Sequence, residues 1–325
     1  MTFKRALWLI LCFFLCYGAA LPATAQQPNP KEDKRFWGHF QIGVLAVQTS
    51  DPMRTGGGNE TIASLNDPDA EATEVAVVPL VDLNYAISPE TTVYLTTPID
   101  EFGVRVAVGA SHGLSKRSAI DAAVFWVPMH DEWADPYRTG APREETDVTD
   151  AGLDVKWTGI GDSGFELQYR LNWLEVDNDA IGRRIESLRR DGQLHTISAG
   201  YALRIGRADV LIPGVDLTLG DIEGDSNRFN EWRLKVNYRR ITERYMVNAY
   251  AGAGRAGFDT EHPLFDETRQ EWGLGGFALL TLFRPFADWE RIFWNFGAGG
   301  GFTDANIAFF DRDSVFGFTT IGFRF

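Results

Sequence analysis

The sequence predicts an all-β fold: a single antiparallel β-barrel that crosses a membrane with about fourteen strands, twelve being the alternative. Three observations favour this fold. Apolar and polar residues alternate along many segments, aromatic residues stand at the ends of the apolar faces, and tight connections alternate with long polar ones. No apolar run after residue 25 approaches the roughly 18 residues that a spanning helix needs, since the longest, at 75–81, has 7.

Alternation is clearest at 165–173, which reads Phe-Glu-Leu-Gln-Tyr-Arg-Leu-Asn-Trp. Because successive side chains of a strand point to opposite faces, this segment has one apolar and one polar face. The segment 232–239 repeats the pattern. A soluble β-sandwich would alternate in the same way, but aromatic residues at both ends of the apolar face, as at Phe165 and Trp173, are typical of the girdles at two membrane interfaces.

The expected strands are joined by tight and long connections in turn. An even number of strands places both chain ends on one side, which we expect to be the periplasm, with the short turns there and the long loops outside. The connection 98–101 is a short outer loop, and Gly275-Gly276 is a candidate bulge. We predict strands at 36–49, 75–87, 91–97, 102–112, 118–128, 151–158, 165–175, 194–205, 209–221, 229–239, 245–256, 270–283, 289–302 and 314–325. We predict tight turns at 88–90, 159–164, 206–207 and 240–243, and long loops at 51–74, 129–150, 176–193, 257–269 and 303–313.

The beginning of the chain indicates export. The basic pair Lys4-Arg5, the apolar stretch 6–20 and the small-residue site Ala23-Thr24-Ala25 are the three parts of a secretory signal peptide. Lipidation at a cysteine and an uncleaved membrane anchor are the alternatives. We therefore predict a cleaved signal peptide at 1–25, a short periplasmic segment at 26–35 and one outer-membrane barrel domain at 36–325 of a Gram-negative bacterium.

Charge and cysteine content exclude several classes of function. Lys and Arg number 31 against 45 Asp and Glu, a net charge of −14, which argues against nucleic-acid binding through a basic surface. Both cysteines, Cys12 and Cys16, lie in the predicted signal peptide, so disulfides, thiolate metal sites and cysteine nucleophiles are excluded from the mature chain. The expected partners are outer-membrane lipid and lipopolysaccharide, a small polar solute, and the barrel assembly machinery, whose recognition signal the C-terminal Phe325 resembles.

Four loop segments carry a resemblance to a known family. They are Asn59 to Leu65, Trp133-Ala134-Asp135-Pro136-Tyr137 with Arg143 to Asp147, Pro263 to Arg269, and Asn306-Ile307-Ala308-Phe309-Phe310-Asp311. In this order they resemble a bacterial family catalogued only as a domain of unknown function. The resemblance covers most of the mature chain and implies an exported outer-membrane protein. It implies no activity, cofactor or catalytic residue.

The other motifs point to no enzyme site. Gly252 to Gly257 has the G-x-G-x-x-G form, but Pro263 and no helical period follow, so a dinucleotide site lacks its helix. The five histidines are scattered without zinc-site spacing. An outer-membrane lipase or protease, the least favoured class, would use His130 with Asp131 or His262 with Asp259 as a base and its partner; solvent-exposed loop residues are the simpler interpretation. Acidic loop residues either bind divalent cations that bridge lipopolysaccharide or form a solvated face. We therefore assign no catalytic, cofactor or metal residue, and no cofactor.

The inward face of the barrel is the better candidate for function. Fourteen strands enclose a space wide enough for water, so we expect a passive porin-like channel for small polar solutes, filtered by a charged lumen. A plugged barrel that serves as a receptor, adhesin or membrane-organising protein is the alternative, and an apolar-solute transporter would need an apolar lumen that the sequence does not suggest. The helically spaced segment 180–190 either enters the lumen or caps it. Candidate lumen residues are Asp82, Arg105, Asp121, Lys156, Glu166, Arg170, Arg204, Asp216, Arg233, Lys235, Arg239 and Arg324, and a candidate loop constriction comprises Asp135, Tyr137, Arg138, Arg143, Glu144 and Glu145.

Overall fold

The computed structural model describes residues 35–55, 58–66, 68, 70–100, 103–286 and 289–325, and the predicted signal peptide with nearly all of the segment 26–35 lies outside them. The wall is formed by β1 (Phe36–Ser50), β2 (Glu71–Ala86), β3 (Thr91–Thr96), β4 (Val106–Gly113), β5 (Ala119–Trp133), β6 (Glu145–Thr158), β7 (Phe165–Val176), β8 (Gly192–Tyr201, continued by Leu203–Arg204), β9 (Asp209–Ile222), β10 (Phe229–Ile241), β11 (Tyr245–His262), β12 (Glu267–Phe283), β13 (Ile292–Ala305) and β14 (Arg312–Arg324). A hairpin of Ile99–Asp100 and Gly103–Val104 lies between β3 and β4, and the helical pieces are α1 (Ala180–Arg184) and 3₁₀ turns at Ile160–Asp162, Glu186–Leu188, Asp225–Asn227 and Ala308–Phe310.

The fourteen strands close into a barrel, as the sequence predicted. Each strand pairs antiparallel with its neighbours in chain order, and β1 pairs with both β2 and β14. At this seam Val44 lies opposite Val77 on one side and Thr319 on the other. The ring of Phe325 packs against Phe36 and Phe40, each with 5.5 Å between ring centroids, so the last residue completes the seam at the turn end of the barrel.

Large apolar side chains cover the outside of the barrel. Val124 is 63% exposed and Leu234 58%, and neither faces a second layer of protein. Closed strands with an apolar exterior and aromatic residues at both ends define a transmembrane β-barrel, so the alternative of two sheets packed face to face is wrong. Within the described residues, no helix combines the length and the hydropathy that a membrane span requires. The aromatic band at the loop end includes Trp126, Trp173, Trp232, Trp272 and Phe302, and the band at the turn end includes Phe36, Trp157, Phe165, Tyr201 and Phe323.

Several strands rise further toward the loops than the sequence predicted. The loops expected at 129–150 and 257–269 shrink to 134–144 and 263–266, because the paired strands continue through polar residues. Ladder hydrogen bonds join backbone groups, so they do not end where apolar side chains end. The predicted bulge at Gly275-Gly276 is wrong, since both residues stay in register with β11; the register shifts instead between Val127 and His130 and between Gly257 and Glu261.

The connection after β3 also differs from the prediction. A short outer loop was expected at 98–101, but the chain forms a hairpin whose Val104 packs inside the barrel against Leu45, Val78 and Phe316. Val104 and the following Arg105 are 7% and 4% exposed. Val104 therefore contributes to the interior of the barrel.

Candidate functional site

One side of the barrel interior is lined by charged side chains. At mid-height of β6 and β7, Asp154 accepts hydrogen bonds from the guanidinium of Arg170, at 3.0 Å from Nε and 2.9 Å from Nη2. Gln168 donates to both oxygens of the same carboxylate at 2.8 Å, and Arg105 reaches it at 4.0 Å. Strand alternation places these residues on one face, and closure of the barrel turns that face inward.

The charged sector continues around the wall to β9 and β10. Lys156 pairs with Glu166 at 3.3 Å, Arg233 with Glu231 at 2.6 Å, and Lys235 with Asp216. A cavity that is open to solvent lies against this sector. Its polar lining consists mainly of Lys156, Glu166, Gln168, Arg170, Thr196 and Lys235.

The remaining predicted lumen residues lie at different positions along the barrel. Asp121 accepts a hydrogen bond from the Tyr94 hydroxyl at 2.6 Å, and Asp82 accepts one from Asn84. Toward the turn end, the guanidinium of Arg324 lies over the rings of Phe283 and Phe293, at 4.7 and 5.1 Å from their centroids. Arg239 is partly exposed on β10, and Arg204 is exposed beside the turn.

The opposite side of the interior is apolar, and the expectation of a polar inner face is wrong there. The buried cluster joins Leu45, Val47, Ala76, Val78, Leu80, Val104 and Phe316, with Phe277 and Phe318 packed against it. The sequence signal for this sector is the near-continuous apolar run at 75–81, because a strand whose outer face meets lipid and whose inner face meets an apolar cluster loses its alternation. The interior therefore has one charged and one apolar side.

Glycines let the aromatic rings of this apolar sector lie flat along the wall. A Cβ added at Gly299 would stand 2.8 Å from the Phe316 ring and 2.5 Å from Phe277, and one at Gly297 would overlap the Phe318 ring. The Phe rings occupy the space that side chains at these glycines would take.

The loops form a packed cap over the loop end of the barrel. Its core, which we call the cap core, contains side chains from the loops after β1, β5, β7, β11 and β13. The loops after β1 and β7 arise from nearly opposite sides of the barrel, so the cap crosses its axis. The cap core consists of Ile62, Tyr137, Ile181, Leu188, Ile307, Phe309 and Phe310, with Met53, Leu65, Ile185, Leu264 and Phe265 partly buried against it.

Arg143 ties two of these loops together. Its guanidinium is buried, lies 4.3 Å from the centroid of the Trp133 ring, and donates to the carbonyl oxygens of Pro52 and Pro136 at 2.7 and 3.0 Å. It also donates to the backbone oxygen and to Oδ1 of Asn59. Burial lowers the pKa of Arg143 to about 10, so the side chain remains charged at neutral pH.

A second arginine joins the cap to the strand end. Arg190 pairs with Asp179 at 2.7 Å and Glu132 at 2.8 Å, and donates to the carbonyl oxygens of Trp133 and Ala134. Asp179 also caps α1 by accepting from the backbone of Gly182 at 3.1 Å. The segment 180–190, for which the sequence left two positions open, lies in the cap.

The predicted constriction residues divide between the interior and the surface of the cap. Tyr137 is buried, with its hydroxyl 3.0 Å from Nε2 of His262, and burial raises the pKa of this hydroxyl. Asp135 pairs with Arg184 at 3.0 Å, and the buried Arg143 holds the loop in place as described above. Arg138, Glu144 and Glu145 are exposed.

Both histidines considered as catalytic bases are built into the structure, so the expectation of solvent-exposed loop residues is wrong for them. His262 is 1% exposed and contacts Tyr137 and Phe265 within the cap core. The His130 ring lies 3.7 Å from Asp150 and 3.9 Å from Glu132. In the described part of the chain, no group of three or more metal-binding side chains is placed to hold an ion, and Gly252 to Gly257 lies within strand β11.

The fold and the loops together define a class of protein: a transmembrane β-barrel of the outer-membrane type, with a two-sided lumen and a packed loop cap. The chain belongs to the family described as "Protein of unknown function (DUF2860)", which matches residues 36–324. This confirms the resemblance carried by the loop motifs, whose residues Asn59, Tyr137, Arg269 and Phe309 meet in or beside the cap. A search of curated proteins finds no match to the chain.

Three solved structures illustrate what the fold is similar to. The CymD monoaromatic hydrocarbon channel has 9% identity and a TM-score of 0.48, over 95% of this chain and 94% of that one. A FadL homologue of Pseudomonas aeruginosa has 12% identity and a TM-score of 0.43, over 89% and 90%. The outer membrane channel DcaP of Acinetobacter baumannii has 9% identity and a TM-score of 0.41, over 89% and 96%. The fold assignment itself depends on the strand register of this chain.

Proposed function

We propose that this protein is a passive channel of a Gram-negative outer membrane, through which small solutes diffuse past a charged wall. The charged sector supports the proposal most directly, because ion pairs such as Lys156 with Glu166 line a cavity on the inner wall that is open to solvent. Charges on an inner wall filter solutes by sign and by polarity. The apolar sector opposite suits the carbon skeleton of a solute whose polar group faces the charges.

The orientation in the membrane follows from the two ends of the barrel. We place the turns and both termini in the periplasm and the cap outside, since outer-membrane barrels have short periplasmic turns. Lipid and lipopolysaccharide would then contact the apolar exterior and the cap margin. The strand that ends in Phe325 would be read by the barrel assembly machinery before closure of the seam.

The cap favours one second function. Because side chains from five loops share a buried core, the loop end is covered by an ordered surface, as expected for a receptor, adhesin or membrane-organising protein anchored by its barrel. In that case the lumen would conduct nothing, and the binding residues would lie on the exposed face of the cap.

Conductance of the refolded protein in a planar bilayer tests the two functions against each other. Stable discrete openings support the channel, and persistent silence supports the anchored receptor. Arg170→Glu and Arg233→Glu should shift the open-state selectivity toward cations, because each reverses a charge on the inner wall. Arg183→Glu is the matched control, since Arg183 is exposed on the cap. An equal shift in the control would contradict the assignment of selectivity to the inner wall.

A further inference from the structure

The cavity on the charged sector has a floor of glycine between two charged sides. Strands β8 and β9 contribute Gly200 and Gly214, which lie opposite each other. Glu166 of β7 is paired with Gly200, and Lys235 of β10 is paired with Gly214, so the four residues form one row across four strands. All four line the cavity. The middle of the row has no side chains, whereas each end carries a charge.

The charged side chains at the two ends reach over the glycines. A Cβ added at Gly200 would stand 3.1 Å from Oε1 of Glu166, and one at Gly214 would stand 3.3 Å from Cε of Lys235. The Cβ positions of directly opposed residues are about 5 Å apart, so these two atoms are at most about 11 Å apart. One small organic molecule can span this distance.

Cationic side chains outnumber carboxylates in the lining of the cavity. The charged lining residues are Lys156, Arg170 and Lys235, against Glu166. Arg170 pairs with Asp154, and Lys235 pairs with Asp216. Neither of these two aspartates is among the described residues that line the cavity. The lining therefore favours a ligand of negative charge.

The two lysines have hydrogen-bond capacity left for a ligand. Lys156 pairs with Glu166 at 3.3 Å and Lys235 with Asp216, and within the described chain neither ammonium has a second carboxylate partner. An ammonium carries three N–H donors, so each lysine can also bind a ligand oxygen. Ser198 adds a hydroxyl to the lining, and this hydroxyl has no hydrogen-bond partner among the described residues.

The lining also offers a surface for carbon atoms. Ile212 of β9 points inward beside the glycines, and its Cγ2 is 3.3 Å from the position of a Cβ added at Gly200. An organic anion can therefore place its oxygens at the lysines and its carbon chain against Ile212 and the glycine backbone. An inorganic anion would use the first of these contacts without the second.

The two ends of the barrel differ in surface charge. The loop end exposes carboxylates such as Glu144, Glu186, Glu223 and Asp225. At the turns, exposed cations outnumber exposed carboxylates among the described residues: they are Lys116, Arg117, Arg207, Arg244, Arg284 and Arg291, against Glu90, Asp162, Glu243 and Glu290. A surface field of one sign raises the local concentration of ions of the other sign. An anion is therefore favoured at the turn end, from which it can approach the inner wall.

From this arrangement we propose that the cavity is a binding site for a small organic carboxylate. Lys156 and Lys235 bind the carboxylate oxygens, and Ile212 contacts the carbon chain. The proposal rests on the proposed channel function, because the solute must reach the inner wall, and it adds the chemical class of the solute and the place where it binds.

Calorimetric titration of the refolded protein in detergent tests the site without requiring an open channel. The probes are succinate, inorganic phosphate and succinamide. Phosphate has the charge without the carbon chain, and succinamide has the chain without the charge. Succinate should bind at least about tenfold more tightly than either, because each comparator loses one of the two kinds of contact.

Substitutions of the lining lysines test which groups bind the probe. Lys235→Gln should weaken succinate binding by at least about tenfold, because a hydrogen bond to a charged donor is lost. Lys156→Gln should have a similar effect and provides a second test if Lys235→Gln does not fold. Arg183→Gln also removes one cation, but on the exposed surface of the cap, and should leave binding within about twofold.

Three results would overturn the site. They are equal affinity for the three probes, a folded Lys235→Gln or Lys156→Gln that binds succinate normally, and an equal loss in Arg233→Gln, whose side chain belongs to the inner wall but not to the described lining. Planar-bilayer conductance separates the two proposals. Openings without succinate binding keep the channel and remove the site, whereas succinate binding without openings removes the channel and keeps the site.

Discussion

The cap core should be sensitive to loss of a single ring. Phe309 is fully buried, with ring centroids 5.1 Å from Tyr137, 5.6 Å from Phe265 and 5.3 Å from Phe310. Phe309→Ala removes these contacts and leaves a cavity, which in protein cores costs about 3–5 kcal/mol. At about 1.4 kcal/mol per tenfold, the ratio of closed to open cap should fall by two to three and a half powers of ten.

The loss should remain in the cap, because the barrel is held by its own ladder and local units open independently. Proteinase K digestion of the folded barrel in detergent would show this as faster cleavage within 51–66 and 134–144, with an unchanged barrel melting temperature. Phe286→Ala makes the same chemical change in a half-exposed ring at the turn end and should leave loop cleavage unaltered. Two results would refute a separately packed cap: unchanged loop cleavage in Phe309→Ala, or a lower melting temperature that accounts for the whole loss of about 3–5 kcal/mol in the barrel itself.

Two further changes test other parts of the structure. Arg143→Lys should weaken the link between the loops after β1 and β5 by about 3 kcal/mol, because a lysine ammonium cannot reproduce the hydrogen bonds that the Arg143 guanidinium donates to Pro52, Pro136 and Asn59. Protection of residues 51–66 from protease measures the effect. Full protection of the variant would contradict it. Gly297→Val should push the Phe318 ring into the lumen and cost about 1–3 kcal/mol of overpacking, with a smaller single-channel conductance. Gly317→Val should conduct normally, because a Cβ there would meet only the carbonyl oxygen of Gly297, at an ordinary contact distance of 3.7 Å.

The sequence alone determined the barrel, its fourteen strands and the family. Alternation such as that of 165–173 is a local pattern, so the sequence of each strand predicts which of its faces contacts lipid. This prediction does not require the neighbouring strands to be known. The same alternation predicts that the side chains of Arg170 and Lys235 face the interior of the barrel. The loop motifs were sufficient to indicate the family, but the sequence did not predict that their residues pack together in the cap.

Tertiary structure decided where those loops go and what lies behind the wall. Tyr137, His262 and Phe309 are far apart in sequence and become neighbours only when loops from different strands meet over the barrel axis. The apolar sector needed contact between β1, β2, β12 and β14, since inward apolar residues look like ordinary strand residues until their partners are known. The short strands β3 and β4 end early, and strand ends are set by pairing between distant segments, which no local pattern of side chains contains.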